Sequence, residues 1–155
     1  MSATAVPEGA APKAPGNRAT RPVPVPDASS APYWEAAARH ELVLARCADC
    51  AALTVPPDQV CPHCGSTDPR FTFAPVSGRG TVRSWTVVRQ SFLPGFDVPF
   101  RLVDVELAEQ PELRLIGRLL DGPDAAVRVG SPVTVGFEDL ADGVAVPAFT
   151  LAGAR

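Results

Sequence analysis

In the second half of the chain, apolar and polar positions alternate at a period of two. Val103, Val105 and Leu107 interleave with Asp104 and Glu106, and Leu113, Leu115, Gly117 and Leu119 interleave with Arg114 and Arg118. A strand turns successive side chains to opposite faces, so this alternation predicts half-buried strands. Five β-rich runs carry the pattern: Thr81–Arg89, Phe100–Leu107, Leu113–Leu120, Val133–Phe137 and Val144–Leu151. Glycine and proline punctuate them at Gly95, Pro99, Pro111, Gly122-Pro123, Gly130 and Gly143. Five short strands in about eighty residues predict a small barrel, for which the OB-fold is the natural candidate. This half shows neither a helical period nor an internal repeat.

The pattern differs upstream. Pro32 suits a first helical turn, and the segment from Tyr33 to Leu42 is built of good helix formers, with Trp34, Ala37, Ala38 and Leu42 on one face. Glu35 and Arg39 are spaced for an i,i+4 pair on the outside. Such a short helix must be held by packing, with Trp34 either covering its own chain or meeting another subunit. Leu42–Arg46 and Ala52–Val55 read as strands, and Pro56-Pro57 turns the chain between them and the next motif. Residues 1–30 hold six prolines among alanines and serines and no aromatic residue. They cannot bury enough surface to offset their ordering entropy, and read as a disordered Pro/Ala-rich tail with polyproline character. The tail is either a solvated leader or a docking segment. The expected organisation is therefore a tail (1–30), a helix with a small module (31–70) and a barrel (71–155).

The chain of 155 residues is 46% hydrophobic, a globular value. It contains no apolar run approaching the roughly eighteen residues of a membrane span. The start, Met1-Ser-Ala-Thr-Ala-Val-Pro7, lacks the basic and apolar segments of a secretory signal, so a cytoplasmic protein with reduced thiols is expected. A net charge of −3 argues against a general nucleic-acid binder. Lys13 is the only lysine; every other basic residue is arginine.

All four cysteines lie in one stretch, Cys47-Ala-Asp-Cys50 and Cys61-Pro-His-Cys64, separated by ten residues. Two Cys-x-x-Cys pairs at this spacing read as a tetrahedral zinc site of the rubredoxin-like ribbon type, each pair wrapping a knuckle that aims two thiolates at one ion. Gly65 follows the second pair where the knuckle needs positive φ. Four thiolates fill the coordination sphere, so the ion would build a fold and perform no chemistry. The fold class expected is all-β with a short N-terminal helix, a zinc ribbon followed by a five-stranded OB-fold barrel.

Several stretches together carry a family resemblance. These are Tyr33-Trp34-Glu35-Ala36-Ala37, the two cysteine pairs with Gly65-Ser66, Ser77-Gly78-Arg79-Gly80-Thr81-Val82 at the opening of the barrel, and Pro99-Phe100 at its second strand. From about Tyr33 to Phe149 the chain resembles the acyl-CoA-associated zinc-ribbon/OB-fold family, domain of unknown function 35. The resemblance implies a non-catalytic partner of a thiolase-like enzyme, of a lipid-transfer-type thiolase acting as a retro-aldolase, or of a MaoC-type hydratase. It also implies acyl-CoA as a ligand shared with that partner, a hetero-oligomer such as α2β2, and in some pairs steroid side-chain breakdown.

The residues themselves offer no catalytic set. His40 is expected near the helix end facing solvent, and His63 inside a complete four-cysteine site. No nucleophile elbow, His-Glu-x-x-His helix or Walker loop occurs. Gly78-Arg79-Gly80 precedes a strand and is no dinucleotide fingerprint. Asp104 and Glu106 read as an exposed polar face. The segment from Arg89 to Phe100 stands out, with Phe92, Phe96 and Phe100 inside nine residues. Arg89 and Arg101 flank it, and arginine forks suit the phosphates of coenzyme A. Two readings stay open: a partner or acyl-CoA surface formed by Arg89, Phe92, Phe96, Phe100 and Arg101, or phenylalanines plugging the barrel end with solvated arginines. A single-stranded nucleic-acid-binding OB-fold and a free-standing acyl-CoA carrier are the alternatives to an accessory subunit.

Overall fold

A computed structural model describes residues 21–153. The tail expectation for residues 1–20 lies outside the described residues. Residues 21–30 are mostly exposed, but several of them touch the folded unit. Arg21 pairs with Glu138 at 2.7 Å, and Pro24 and Pro26 lie in a groove with Trp34 and Ala145. Asp27 then organises the helix start. Its carboxylate accepts from the Ser30 amide and from both the Ser29 and Ser30 hydroxyls, which holds its carboxyl down to about 2.

Helix α1 spans Ala31–Ala37, shorter than the pattern predicted. The cause is His40, which adopts φ 59° and ends the helix as a Schellman turn. The Glu41 amide donates to the Ala36 carbonyl and the His40 amide to that of Ala37. That position favours glycine, but His40 is held by Asp139 at 2.8 Å and stacks on Phe137, so it does not simply face solvent. Ala36 and Ala37 form the buried face. Arg39 bonds the Glu35 carbonyl and pairs with the Glu41 carboxylate, in place of the expected Glu35–Arg39 side-chain pair.

Strands β1 (Val43–Arg46), β2 (Leu53–Thr54) and β3 (Thr72–Pro75) form a sheet in the order β2-β1-β3. This sheet therefore takes in a strand that lies just past the expected boundary at residue 71. Strand β3 pairs antiparallel with all of β1, Val43 opposite Pro75 and Arg46 opposite Thr72, so it completes the ribbon. The barrel proper contains β4 (Arg79–Val88), β5 (Phe100–Leu107), β6 (Arg114–Leu119), β7 (Pro132–Ala141) and β8 (Val144–Leu151). It closes in the order β4-β5-β6-β8-β7, with β6 and β8 parallel, as an OB-fold.

Closure depends on β4 serving two neighbours. Its first residues pair with β7, and most of its length pairs with β5 across a bulge between Val82 and Ser84. The Ser-Gly-Arg-Gly opening is explained here. Gly78 has φ 68°, and a Cβ on it would lie 2.1 Å from Val135 Cγ1; a Cβ on Gly80 would lie 2.5 Å from the Glu106 carbonyl oxygen. Inside the barrel, Val82, Val103, Val105, Leu119, Val133 and Phe149 are essentially inaccessible. The same cluster continues into Leu42, Leu44 and Leu53, so ribbon and barrel share one core.

Candidate metal centre and docking face

The two knuckles repeat one backbone design. The Cys47 carbonyl accepts from the Ala51 amide and the Cys61 carbonyl from the Gly65 amide, both at 2.9 Å. The Cys47 and Cys61 amides in turn donate to Ala52 and Ser66. Each knuckle closes on a residue of positive φ, Ala51 at 61° and Gly65 at 74°. Sequence reading found Gly65 and missed Ala51, although both directly follow the second cysteine of a pair.

All four sulfurs lie within 4.8 Å of one another, with Cys47–Cys64 at 4.0 Å and Cys50–Cys61 at 3.7 Å. Sulfurs about 2.3 Å from a central zinc span tetrahedral edges of about 3.8 Å, so the set fits a zinc ion. Burial raises the Cys61 thiol, but the Cys64 and His63 amides and the neighbouring sulfurs outweigh it and bring it to about 6. For Cys64 the Ser66 amide favours the thiolate, yet burial and the three other sulfurs push it up to about 12. Four clustered sulfurs cannot all ionise alone, whereas a divalent ion favours thiolates at every position. Asp49 ties the knuckles together, accepting from the Ser66 hydroxyl at 2.5 Å and from Arg70 at 2.9 Å.

His63 is not part of the sulfur cluster. Its Nε2 donates to the Leu53 carbonyl at 3.1 Å. The Gln110 side chain, from the turn between β5 and β6, accepts from the Leu53 amide at 2.8 Å and donates to the same carbonyl at 3.1 Å. One carboxamide thus acts as the missing neighbour strand for β2 and fastens the ribbon to the barrel. No local sequence signal marks Gln110, since its partner lies 57 residues away.

The segment between β4 and β5 divides. Phe92 is 89% exposed and Leu93 58%, with Val98 also exposed, so the tip presents apolar surface to solvent. Phe96 is half-buried and stacks on Phe100 at 6.0 Å. Phe100 does not plug the barrel end. It occupies the outward register of β5 with Leu102 and Asp104, on the wall of a depression of about 280 Å³ that also includes Ile116, Arg118, Glu138 and Val146. Arg101 departs from its expected role, because its guanidinium bonds the carbonyls of Pro123 and Ala125 and is spent on holding the loop before β7. Arg89 remains exposed. Sequence reading missed Arg21, Arg118 and Glu138, which gather beside Phe96 and Phe100 from separate parts of the chain. Asp104 is bound bidentately by Arg114, and hydrogen bonding to that guanidinium holds its carboxyl low.

Comparison with known proteins agrees with this architecture. Residues 34–70 match the ChsH2 rubredoxin-like zinc ribbon domain, and residues 74–138 match the ChsH2 C-terminal OB-fold domain. A solved structure described as an Ltp2-ChsH2(DUF35) aldolase aligns with a TM-score of 0.71 and 32% identity, over 83% of this chain and 98% of that one. A DUF35 protein of unknown function from Sulfolobus solfataricus shares the fold, with a TM-score of 0.54 at 12% identity, over 81% of this chain and 86% of that one. A probable enoyl-CoA hydratase alpha subunit from Thermomonospora curvata is 33% identical over 85% of this chain and 40% of its own length. The 3-oxo-4,17-pregnadiene-20-carboxyl-CoA hydratase alpha subunit of Mycobacterium tuberculosis is 34% identical over 71% of this chain and 34% of its own. The chain thus spans less than half the length of these two curated relatives. With both its four-cysteine ribbon and its closed barrel matched in order, the chain belongs to the ChsH2 (DUF35) family.

Proposed function

We propose that this protein is a non-catalytic subunit that docks on a thiolase-like, lipid-transfer-type enzyme and helps form its acyl-CoA site. The observation that carries the reading is the alignment with the aldolase structure at 32% identity, across 98% of the matched chain. The side-chain chemistry supports it. The four cysteines form one metal-type cluster, His63 is bound to a backbone carbonyl, His40 to Asp139, and Asp104 to Arg114. An enzyme site needs a nucleophile or an acid–base pair converging on open space, and these groups are each turned to a structural partner. The exposed Phe92 and Leu93, with Arg89 nearby, supply the apolar and cationic surface for the partner and the thioester.

The two curated relatives favour a second reading, in which the partner is a MaoC-type hydratase and the complex acts in the breakdown of steroid-derived acyl-CoA. The nucleic-acid alternative draws little support. OB-folds commonly read oligonucleotides on the face of their second and third strands. Here that face, on β5 and β6, spends Arg114 on Asp104 and Arg118 on Glu138.

Co-purification tests the reading. The tagged chain, co-expressed with an untagged lipid-transfer-type thiolase or a MaoC-type hydratase, is expected to retain the thiolase as a stable hetero-oligomer. Phe92→Ala with Leu93→Ala is expected to weaken assembly without loss of metal or fold. Retention of the hydratase alone selects the second reading, and retention of neither overturns both.

A further inference from the structure

Arg21, the first of the described residues, lies against the loop that carries the exposed aromatics. Arg21 lies 4.6 Å from the Phe96 ring centroid, in cation–π geometry, and pairs with Glu138 Oε1 at 2.7 Å. Arg118 pairs with the same oxygen at 2.8 Å and lies 5.1 Å from the Phe100 ring. Phe96 and Phe100 stack on each other between these arginines. The order in space is Arg21, Phe96, Phe100, Arg118, with Glu138 bridging the two cations. The side chains of Arg21, Arg118 and Glu138 are 22%, 29% and 20% exposed, so these are half-sheltered contacts and not free surface pairs.

We propose that Arg21 is a positioning residue. Through it, the N-terminal segment straps the loop between β4 and β5 to the barrel wall and so fixes the pose of Phe92 and Leu93 at its tip. Phe96 is the loop's half-buried attachment point, and its contacts come from outside the loop, from Phe100 and Arg21. Arg118 and Glu138 are both strand residues, in β6 and β7, and pair with each other directly. Among the described residues of the N-terminal segment, Arg21 is the one that meets Phe96. A tip held in one pose meets a partner with less ordering cost than a free one. That consequence rests on the docking reading; the strap itself does not.

The strap is tested on the isolated full chain by hydrogen exchange of peptides covering residues 90–99. Arg21→Ala is expected to speed exchange there about tenfold, with β8 and the ribbon unchanged. Arg21→Lys keeps the charge but loses the planar guanidinium over the ring, and is expected to fall between Arg21→Ala and the parent. Metal content and melting temperature serve as fold controls. Exchange at 90–99 that is unchanged in Arg21→Ala overturns the strap, whatever the partner proves to be. A second arm measures affinity for a co-purifying thiolase-type enzyme, expected to weaken about tenfold in Arg21→Ala and to recover partly in Arg21→Lys. A freed loop with unchanged affinity overturns the role of the strap in docking.

Discussion

Replacing Gln110 with alanine isolates the joint between ribbon and barrel. Leu53 is 4% exposed and sits on the short edge strand β2, whose outer side has no strand neighbour among the described residues. Its amide has the Gln110 Oε1 as partner, and its carbonyl has both Gln110 Nε2 and His63. In Gln110→Ala the carbonyl keeps His63, while the buried amide loses its acceptor. An orphaned buried donor costs about 1–3 kcal/mol. At roughly 4 °C per kcal/mol for a domain of this size, melting falls by about 4–12 °C. Gln110→Met controls for lost packing, because it fills similar space and makes neither bond; it is expected to match alanine to within about 1 kcal/mol. Gln110→Glu can still accept from the amide but sets a carboxylate against the Leu53 carbonyl, so it recovers only part of the loss. Urea unfolding gives the free energies, and hydrogen exchange at the Leu53 amide reports the bond itself. Leu53 exchange equal to the parent, with a stability change under about 0.5 kcal/mol, refutes the joint.

Three further outcomes follow from the geometry. One zinc per chain is expected by elemental analysis, and Cys50→Ser is expected to lose it and unfold the ribbon, since structural zinc contributes roughly 10–16 kcal/mol of apparent binding energy; freshly purified protein with four free thiols and no zinc contradicts this. Ala51→Gly relieves a side chain at φ 61° and is expected to stabilise by about 0.5–1 kcal/mol in urea unfolding, whereas Gly65→Ala at φ 74° destabilises by a similar amount. Asp104, hydrogen-bonded by Arg114, has a lowered carboxyl pKa, so its contribution is present at neutral pH and is lost as pH falls below the ordinary carboxylate value of 3.8; Asp104→Asn is expected to remove that acid dependence, and an identical acid limb in the variant contradicts it.

What the sequence disclosed follows from the range of the interactions. Barrel strands write their period into neighbouring residues, so Val103-Asp104-Val105-Glu106-Leu107 was legible, and its buried and half-buried faces are those expected. The cysteine pairs were legible because metal knuckles are local and fixed in spacing. Strand β3 was not among the predicted runs, because Thr72–Pro75 is short and ends in proline; its pairing with β1, some thirty residues earlier, is what makes it a strand. The helix ran too long in prediction because nothing in a histidine announces positive φ, and His40 is held there by Asp139 and Phe137 from the far end of the chain. Arg101 was misread for a similar reason. An arginine beside an aromatic loop suggests an anion, yet this one meets carbonyls more than twenty residues away. Gln110, Arg21 and Glu138 act entirely through long-range contacts and left no pattern to read.

The most direct measurement is turnover by a reconstituted pair. The purified chain alone, the purified lipid-transfer-type thiolase alone and the two together are assayed for cleavage of a bulky acyl-CoA. No turnover is expected from the chain, weak or none from the isolated enzyme, and strong activity from the complex that falls in the Phe92→Ala, Leu93→Ala double variant. Robust turnover by the chain alone, or an enzyme whose activity is the same with and without it, contradicts a non-catalytic subunit that completes its partner's site.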